Sequence, residues 1–224
     1  MEYYSIIIPI YNEENYIAQL LEGLEYYSKI GHEIVIINDA STDQSLKILN
    51  DCKFINLISH NKNKGKGLAI RTGLSKAKNK KVVLFDGDME LNPTEISKLM
   101  ILDERNKVYS VMGYRFKNFN FIKSSSGFGN CIFTTSFNLF FNSRHRDILC
   151  CAKSFYLDRV PLENLTSKHF SIDIELSLVL SMRNKNIPQI FLDYNRRKIS
   201  EGKKLRTQDG WDLLLQVIKM VRFY

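Results

Sequence analysis

Hydrophobic and polar positions along the chain switch between two periods, and this pattern predicts a regular series of strands and helices. Short apolar runs rich in β-branched residues are typical of buried strands, and the first half contains four of them, at residues 3–10, 33–38, 54–59 and 81–85. Apolar residues at helical spacing predict helices between and after them, at 12–27, 41–49, 67–77 and 93–100. Strands that alternate with helices in this way predict a doubly wound α/β sheet, mostly parallel and flanked by helices.

The rhythm changes after a further predicted strand over residues 108–114. Residues 116–142 are rich in aromatic, serine and asparagine residues. Within them, the segment 131–141 is apolar on all sides, so we expect it in the core, with a membrane-surface position as the alternative. A helix over 171–182, a strand over 189–194 and an amphipathic C-terminal helix over 209–224 complete the prediction. That last helix could either pack on the domain or lie at the headgroup level of a membrane.

Composition indicates a folded protein with a sizeable core. The chain has 224 residues, of which 44% are hydrophobic, and it contains neither an apolar stretch long enough to span a bilayer nor a signal peptide. We therefore expect a cytoplasmic protein. Its four cysteines include no Cys-x-x-Cys pair, which favours reduced and mostly buried thiols.

The formal net charge of +8 predicts an anionic partner. The charge is concentrated in residues 62–81 and 196–206, and few aromatic side chains are interleaved with it. Single-stranded nucleic acid is bound by stacking rings within a basic groove, so this distribution weakens a nucleic-acid-binding interpretation. A phosphorylated substrate or an anionic membrane surface fits it better.

The most informative motif is Asp86-Gly87-Asp88, directly after the fourth predicted strand. Two carboxylates at the carboxyl end of a parallel strand lie where such sheets bind ligands. Carboxylate oxygens suit Mg²⁺ or Mn²⁺, and such an ion would neutralise the charge on a departing phosphate. Taken alone the tripeptide is also an ordinary turn.

Two other strand ends carry polar residues of the same kind. The first strand runs into Pro9-Ile10-Tyr11-Asn12-Glu13 and feeds a helix N-terminus, which favours anions. The second is followed by Asp39, which could accept hydrogen bonds from a base or a ribose. The alternative is plain helix capping by the residues after it, such as Ser41 or Asp43.

Several further motifs occur in a fixed order. They are IIIPIYNEE at the start, INDASTD from Ile37, NKGKG from Asn63, DGDME from Asp86, GYR from Gly113, DILCCAKSF from Asp147, DIEL from Asp173 and YNRRKISEGKKL from Tyr194. In this order the set resembles the inverting GT-A glycosyltransferases typified by dolichyl-phosphate mannose synthase and bacterial polyprenyl-phosphate glycosyltransferases. The resemblance covers nearly the whole chain.

The resemblance implies a donor site. Asp86 and Asp88 would hold Mg²⁺ or Mn²⁺, with Glu90 as a possible third ligand where relatives commonly have glutamine. The residues implied for nucleotide-sugar binding are Pro9, Tyr11, Glu13, Asp39, Lys66, Asp86, Gly87 and Asp88. Among these, Lys66 would approach the phosphates or, alternatively, be a solvated lysine in a basic loop.

The resemblance also implies an acceptor site and a catalytic set. The acceptor phosphate would be bound by Arg115, Lys123, Arg197 and Lys204, since guanidinium groups bind phosphate oxygens in pairs. The residues implied for catalysis are Asp88, Arg115, Arg197, Asp173 and Glu175. A phosphate acceptor needs no general base, so Asp173 and Glu175 would act as a base only for a hydroxyl acceptor and would otherwise cap a helix or orient basic residues. Residues 200–204 are expected to form a mobile loop that closes over both substrates.

The implied function is transfer of a sugar from a UDP- or GDP-linked donor to polyprenyl phosphate, by a protein held peripherally on the cytoplasmic membrane face. Residues 1–224 would form one domain, with a nucleotide-sugar half at 1–112, an acceptor half at 113–208 and the C-terminal helix at 209–224. One alternative is a saccharide hydroxyl acceptor for the same donor. A nucleic-acid-binding protein and a catalytically inactive scaffold are the non-enzymatic alternatives, and we expect no nucleic-acid partner.

Overall fold

The computed structural model describes residues 2–116, 125–184 and 186–197, with the backbone alone at 125–128. Seven strands and six α-helices lie in these ranges. The strands are β1 (Tyr4–Ile10), β2 (Glu33–Asn38), β3 (Asn56–Ser59), β4 (Lys81–Leu84), β5 (Ser110–Tyr114), β6 (Lys153–Tyr156) and β7 (Gln189–Phe191). The helices are α1 (Glu14–Lys29), α2 (Ser45–Asn50), α3 (Lys66–Lys76), α4 (Ile96–Leu99), α5 (Ser125–Phe141) and α6 (Ile172–Arg183).

The strands form a single sheet in the order β3-β2-β1-β4-β6-β5-β7. Strands β1, β2, β3 and β4 pair in parallel, and β5 pairs in parallel with β7. Strand β6 runs antiparallel to both of its neighbours. The prediction of a mostly parallel α/β sheet flanked by helices is therefore confirmed.

Both faces of the central strands β1, β2 and β4 are buried, which explains why these strands are almost continuously apolar. Successive side chains of a strand point to opposite faces. In β1, Ile6 and Ile8 pack with Leu20 and Leu24 of α1 on one face, whereas Ile7 packs on the other face with residues of α3 and α6. The sheet is thus a rigid platform for the residues at the ends of its strands.

The element boundaries reflect local chemistry, with some corrections to the sequence prediction. Helix α1 ends before Gly31, which adopts a φ of 96° that favours glycine. Helix α2 begins at Ser45, and Asp43 of the predicted cap at residues 41–43 accepts a hydrogen bond from the backbone N–H of Ser45. The other oxygen of Asp43 accepts from the backbone N–H of Glu14, and this bond joins the segments after β1 and β2.

Two features of the second half were predicted incorrectly. Strand β6 was missed, because a four-residue strand that comes after a turn has too little periodicity to be distinguished. Segment 131–141 was expected in the core, and Phe137 is buried there, but Leu139 and Phe140 of the same helix are exposed. In the part of the chain that the structure describes, no helix is long and apolar enough to cross a membrane.

Candidate active site

Polar residues meet at one edge of the sheet. Six strands end at this edge, whereas the antiparallel strand β6 begins there. The register pairs Ile7 of β1 with Leu84 of β4, so the residues after both strands lie side by side. After β1, the chain adds β2 and β3 on one side of that strand. It then crosses to the other side, where it forms β4, so the gap between β1 and β4 is a topological switch point. Ligands bind at such a point in open α/β sheets.

A cavity of about 360 Å³ opens at this edge. It brings together most of the predicted site residues: Pro9, Tyr11, Glu13, Asp39, Lys66, Asp86, Gly87, Asp88, Glu90, Arg115, Asp173 and Arg197 all line it. Glu175 does not line it. Lys123, Lys204 and the predicted loop 200–204 lie outside the described residues, as does the predicted C-terminal helix.

The glycine between the two aspartates packs closely against β1. A Cβ atom at Gly87 would lie 2.1 Å from Cδ1 of Ile10 and 3.1 Å from Cγ2 of Ile8. A larger residue here would force the Ile10 side chain to move. Close packing at this position therefore places Asp86 and Asp88 beside the residues at the end of β1.

Lys66 is buried between two carboxylates. Its Nζ lies 2.8 Å from Oδ1 of Asp86 and 3.0 Å from Oδ2 of Asp173, and 5.6 Å from the centre of the Phe170 ring. Burial lowers the pKa of Lys66, but the charges of Asp173 and Asp86 outweigh it and raise that pKa well above its usual range. The alternative interpretation of Lys66 as a solvated lysine is therefore wrong.

Two glycines hold Lys66 in this position. Gly65 has a φ of 87°, and the backbone N–H of Gly67 donates to the carbonyl oxygen of Lys168 at 2.8 Å. A Cβ atom at Gly67 would lie 2.1 Å from the carbonyl oxygen of Ser167. The glycines of the NKGKG motif thus allow the start of α3 to pack directly against the loop that precedes α6.

The two aspartates of the motif have opposite protonation behaviour. Burial raises the pKa of Asp86, but the charge and hydrogen bonds of Lys66 outweigh it and leave the pKa below its usual value. Burial, together with the charges of Asp86 and Glu90, raises the pKa of Asp88 to about 6, against a smaller opposing effect of Arg197. The neighbouring charges of Asp86 and Glu90 thus disfavour a further negative charge at Asp88, and an added cation would relieve this repulsion.

Arg197 connects the segments after β1 and β4. Its Nη1 donates to Oε2 of Glu13 at 2.7 Å, and its Nη2 lies 3.3 Å from Oδ2 of Asp88. Its backbone N–H donates to Glu90, which also accepts from the Tyr194 hydroxyl at 2.9 Å. Sequence separation of more than 100 residues hides these contacts from any local pattern.

Arg115 is held by a carboxylate that sequence reasoning did not single out as a site residue. Its Nε and Nη2 donate to the two oxygens of Asp147 at 2.8 and 3.0 Å, and Asn130 of α5 donates to the same carboxylate at 2.9 Å. The guanidinium also lies 5.6 and 5.3 Å from the ring centres of Phe116 and Tyr194. The position of Asp147 at the start of DILCCAKSF was the available signal.

Asp39 is the centre of a second buried network. Its oxygens accept from the backbone N–H groups of Lys64 and Gly65 at 2.9 and 2.7 Å and contact Nδ1 of His60 at 2.7 Å. Nε2 of His60 in turn contacts the Thr72 hydroxyl at 3.0 Å. A carboxylate offers about four lone-pair sites, so one remains for a ligand in the cavity. His60 and Thr72 lay in no motif, and no sequence signal singled them out.

Asp173 and Glu175 lie in the first turn of α6 but have different surroundings. Oδ1 of Asp173 is buried in the cavity wall and has no hydrogen-bond partner within the described ranges. Glu175 accepts hydrogen bonds from the backbone N–H groups of Thr166 and Ser167 at 2.9 and 3.0 Å. Glu175 thus holds the loop before α6 and does not line the cavity. This geometry favours the structural alternative for Glu175 over a role among the reacting groups.

The predicted set of three metal ligands is not assembled. Among the residues with described positions, no three histidine, cysteine, aspartate or glutamate side chains could hold a metal ion together. Glu90 is held by Tyr194 and the backbone of Arg197, and Asp86 is paired with Lys66. Asp88 is the carboxylate of the three that combines a place in the cavity lining with a raised pKa.

Comparison with known families decides the class of this protein. The profile of the family described as "Glycosyl transferase family 2" matches residues 5–160, which include β1 to β6 and both aspartates of the motif. The chain belongs to glycosyl transferase family 2. The resemblance inferred from the motifs is thereby confirmed, and so, at the level of the family, is the prediction of a glycosyltransferase.

Three relatives illustrate the range of this similarity. An undecaprenyl-phosphate 4-deoxy-4-formamido-L-arabinose transferase of Proteus mirabilis is 34% identical over 51% of this chain and 37% of its own length. A dolichyl-phosphate beta-glucosyltransferase of Trichomonas vaginalis is 27% identical over 99% of this chain and 74% of its own. An uncharacterized protein of Methanocaldococcus jannaschii is 33% identical over 96% and 97%. The chain thus spans just over a third of the first relative and most of the other two.

Solved structures confirm the GT-A-like fold. Glucosyl-3-phosphoglycerate synthase from Mycobacterium tuberculosis in complex with UDP superposes with a TM-score of 0.73 over 98% of this chain and 79% of that chain, at 14% identity. The same enzyme with Mn²⁺, UDP and glucosyl-3-phosphoglycerate gives a TM-score of 0.65 over 89% and 74%, at 16% identity. At this identity the similarity establishes the fold alone.

Proposed function

We propose that this family 2 glycosyltransferase transfers a sugar from a nucleoside diphosphate donor to a polyprenyl phosphate. The observation that carries the proposal is the convergence of Lys66, Arg115 and Arg197 with Asp86 and Asp88 around one cavity. Two phosphorylated substrates bring several negative charges into a confined volume, and these cations, together with a divalent ion held by the carboxylates, would offset them. Both the cations and the carboxylates are supplied by residues next to strand ends or at the start of α3.

The donor is assigned to the β1–β2–β4 side of the cavity. Pro9, Tyr11, Glu13 and Asp39 line this side, and Asp39 is oriented by His60 and by two backbone N–H groups. A carboxylate held in this way can accept a hydrogen bond from a base or a ribose hydroxyl. UDP is bound by the synthase that shares this fold, and we extend that to a UDP- or GDP-linked sugar here.

A divalent ion fits this site through Asp88. Its carboxylate lines the cavity beside those of Asp86 and Glu90, and burial together with these two charges raises its pKa to about 6. Mg²⁺ is commonly bound by one or two carboxylates together with substrate phosphates, so a site with few protein ligands is sufficient. When bound, Mg²⁺ or Mn²⁺ would neutralise charge on the departing diphosphate.

Arg115 and Arg197 are assigned to the acceptor phosphate and the diphosphate. Asp147 accepts two hydrogen bonds from Arg115 and so fixes the plane of its guanidinium group before a phosphate binds. A phosphate monoester is ionised near neutral pH, so its attack on the sugar carbon requires no general base. The names of the Proteus mirabilis and Trichomonas vaginalis relatives, which include undecaprenyl phosphate and dolichyl phosphate, support this acceptor class.

A saccharide hydroxyl is the second candidate acceptor, and one observation favours it. Asp173 lines the cavity, and its buried Oδ1 has no hydrogen-bond partner among the described residues. A hydroxyl group would satisfy this oxygen and would need a base. The ion pair of Asp173 with Lys66 argues against it, because the ammonium group already engages the other oxygen of this carboxylate.

The test is a search by mass spectrometry for glycosylated polyprenyl phosphate. The protein is incubated with the lipid and with UDP-, GDP- or dTDP-linked sugars, in Mn²⁺ or in chelator, beside an Asp173→Asn variant. We expect a metal-dependent product that Asp173→Asn still forms. A product only with saccharide acceptors, and only with Asp173 intact, would support the second candidate. Nucleotide binding without transfer to either acceptor class would overturn both.

A further inference from the structure

Helix α5 has one buried and one exposed apolar face. Phe137 and the polar residues Asn130 and Thr134 are buried against the body of the protein, and Phe137 packs with Ile174 and Leu178 of α6. On the other side, Leu139 is 79% and Phe140 58% exposed, and Ile132 is exposed as well. Leu139 and Phe140 come seven and eight residues after Ile132, which places all three on one face of a helix. Exposed large apolar side chains grouped in this way indicate a contact surface.

The turn after α5 and the end of α6 extend this face. Asn138 donates to the carbonyl oxygen of His145 at 2.8 Å and accepts from its backbone N–H, so the turn folds back onto α5. The His145 ring lies 2.7 Å from the Ser181 hydroxyl, which brings the end of α6 alongside. Met182, the next residue of α6, is exposed. We call Ile132, Leu139, Phe140 and Met182, together with Arg144 and Arg183, the α5 face.

The charge of this region has a single sign. Residues 105–146 contain no aspartate or glutamate, and neither do residues 176–192. Within these stretches Arg144, Arg146 and Arg183 are exposed beside the apolar side chains. A protein partner with an acidic rim would also match this pattern. An anionic lipid surface matches both the exposed apolar side chains and the positive charge that no carboxylate interrupts in these two stretches.

We propose that the α5 face docks on an anionic lipid surface, with the helix lying in the plane of the headgroups. Exposed leucine and phenylalanine side chains would enter the boundary between headgroups and acyl chains, while the arginines meet lipid phosphates. The sequence named a membrane-surface position as an alternative for residues 131–141 and for residues 209–224, and this proposal takes the first of the two.

The proposal rests on the proposed function for its purpose, because it explains how a lipid phosphate reaches the cavity. Asn130, on the same helix as Ile132, lines the cavity and donates to Asp147, which holds Arg115. A membrane under the α5 face therefore brings its headgroup layer to the side of the cavity where Arg115 lies.

The experiment is co-sedimentation of the full chain with vesicles, without any sugar donor. Vesicles of phosphatidylcholine alone are compared with vesicles that also contain phosphatidylglycerol. The test variant is Leu139→Glu with Phe140→Glu, and the matched control is Tyr26→Glu, since Tyr26 is 62% exposed on α1, away from this face. Arg144→Gln and Arg183→Gln probe the charge. Circular dichroism verifies that each variant is folded, and Leu139→Gln replaces the double variant if it is not.

We expect binding to the phosphatidylglycerol vesicles that falls at least about tenfold in the double variant and about fivefold in each arginine variant, with the control unchanged. Absence of binding by the unmodified chain would overturn the proposal, and so would unchanged binding by the double variant, which would move the contact to another segment. Turnover with a short, water-soluble isoprenyl phosphate separates the two proposals. The double variant keeps this turnover if the proposed function is right, and an enzyme inactive on every acceptor contradicts that function without affecting the vesicle result.

Discussion

Replacing Lys66 by methionine is expected to destabilise the fold strongly, although most of the length of the side chain is kept. Its Nζ lies 2.8 Å from Oδ1 of Asp86 and 3.0 Å from Oδ2 of Asp173, so a single ammonium serves two carboxylates. Removing one partner of a buried ion pair costs about 3–5 kcal/mol, because the other charge stays buried without compensation.

The exposure of the two carboxylates narrows this range. The side chain of Asp173 is 5% exposed and cannot be rehydrated, whereas that of Asp86 is 31% exposed and can be in part. The full cost of an uncompensated buried charge should therefore arise at Asp173, and only part of it at Asp86. We expect a loss of about 3 kcal/mol in the free energy of unfolding near neutral pH.

The pH dependence of the loss is set by Asp86. Burial raises its pKa, and in the native protein Lys66 outweighs burial and leaves the pKa below its usual value. A carboxyl with a depressed pKa stabilises the fold above its unfolded-state pKa of about 3.9 and loses that contribution as the pH falls. Without Lys66, burial is opposed only by the smaller effects of Cys151 and Arg115, so the pKa of Asp86 rises and the variant gains less stability than the native protein as the pH rises. The difference between the two proteins should therefore widen from about pH 4 to about pH 7.5.

Urea unfolding followed by circular dichroism measures this difference. The matched control is Lys64→Met, since Lys64 is exposed in the same loop, and its effect should stay within about 0.5 kcal/mol. Adding Asp173→Asn to the Lys66→Met variant removes the uncompensated charge and should restore at least about 1 kcal/mol. A loss below about 1 kcal/mol in Lys66→Met, with no dependence on pH, would refute the reasoning.

Three further predictions concern the same edge of the sheet. Asp88→Asn removes a group whose pKa is raised to about 6, so the variant should match the native protein near pH 4 and exceed its stability by about 1–3 kcal/mol near pH 7.5 in urea unfolding. Gly67→Ala places a Cβ atom 2.1 Å from a backbone carbonyl oxygen and should lower the free energy of unfolding by about 2 kcal/mol. The control Gly129→Ala has no atom within 4 Å of its added Cβ and should lower it by nothing. Equal urea midpoints for the two variants would contradict this prediction. Asp147→Asn leaves the Arg115 charge without its carboxylate and should lower the unfolding free energy by about 3 kcal/mol, and a change below about 1 kcal/mol would show that Arg115 is otherwise solvated.

Much of the candidate site was predictable because it consists of residues that come directly after strands. Asp86, Gly87 and Asp88 lie just beyond an apolar run, as do the polar residues after β1 and β2, so a parallel sheet brings them together. The partners of these residues were not predictable. His60 and Asp147 contact Asp39 and Arg115 from more than 20 residues away, and Glu13 meets Arg197 across 184 positions. Such distances carry no periodic signal.

The sequence by itself determined the α/β class, the family and the strand ends that carry polar residues, because hydrophobic periodicity and local motifs are short-range properties. Tertiary structure alone decided which charges pair. In the folded protein Lys66 lies between two carboxylates rather than in solvent, and Glu175 binds a loop outside the cavity lining. Strand β6 lies between β4 and β5 and runs antiparallel to both. It also left one face of α5 uncovered, although segment 131–141 was expected in the core. The physical reason is that charge pairing and burial depend on distance in space, which the chain establishes only once the sheet has formed.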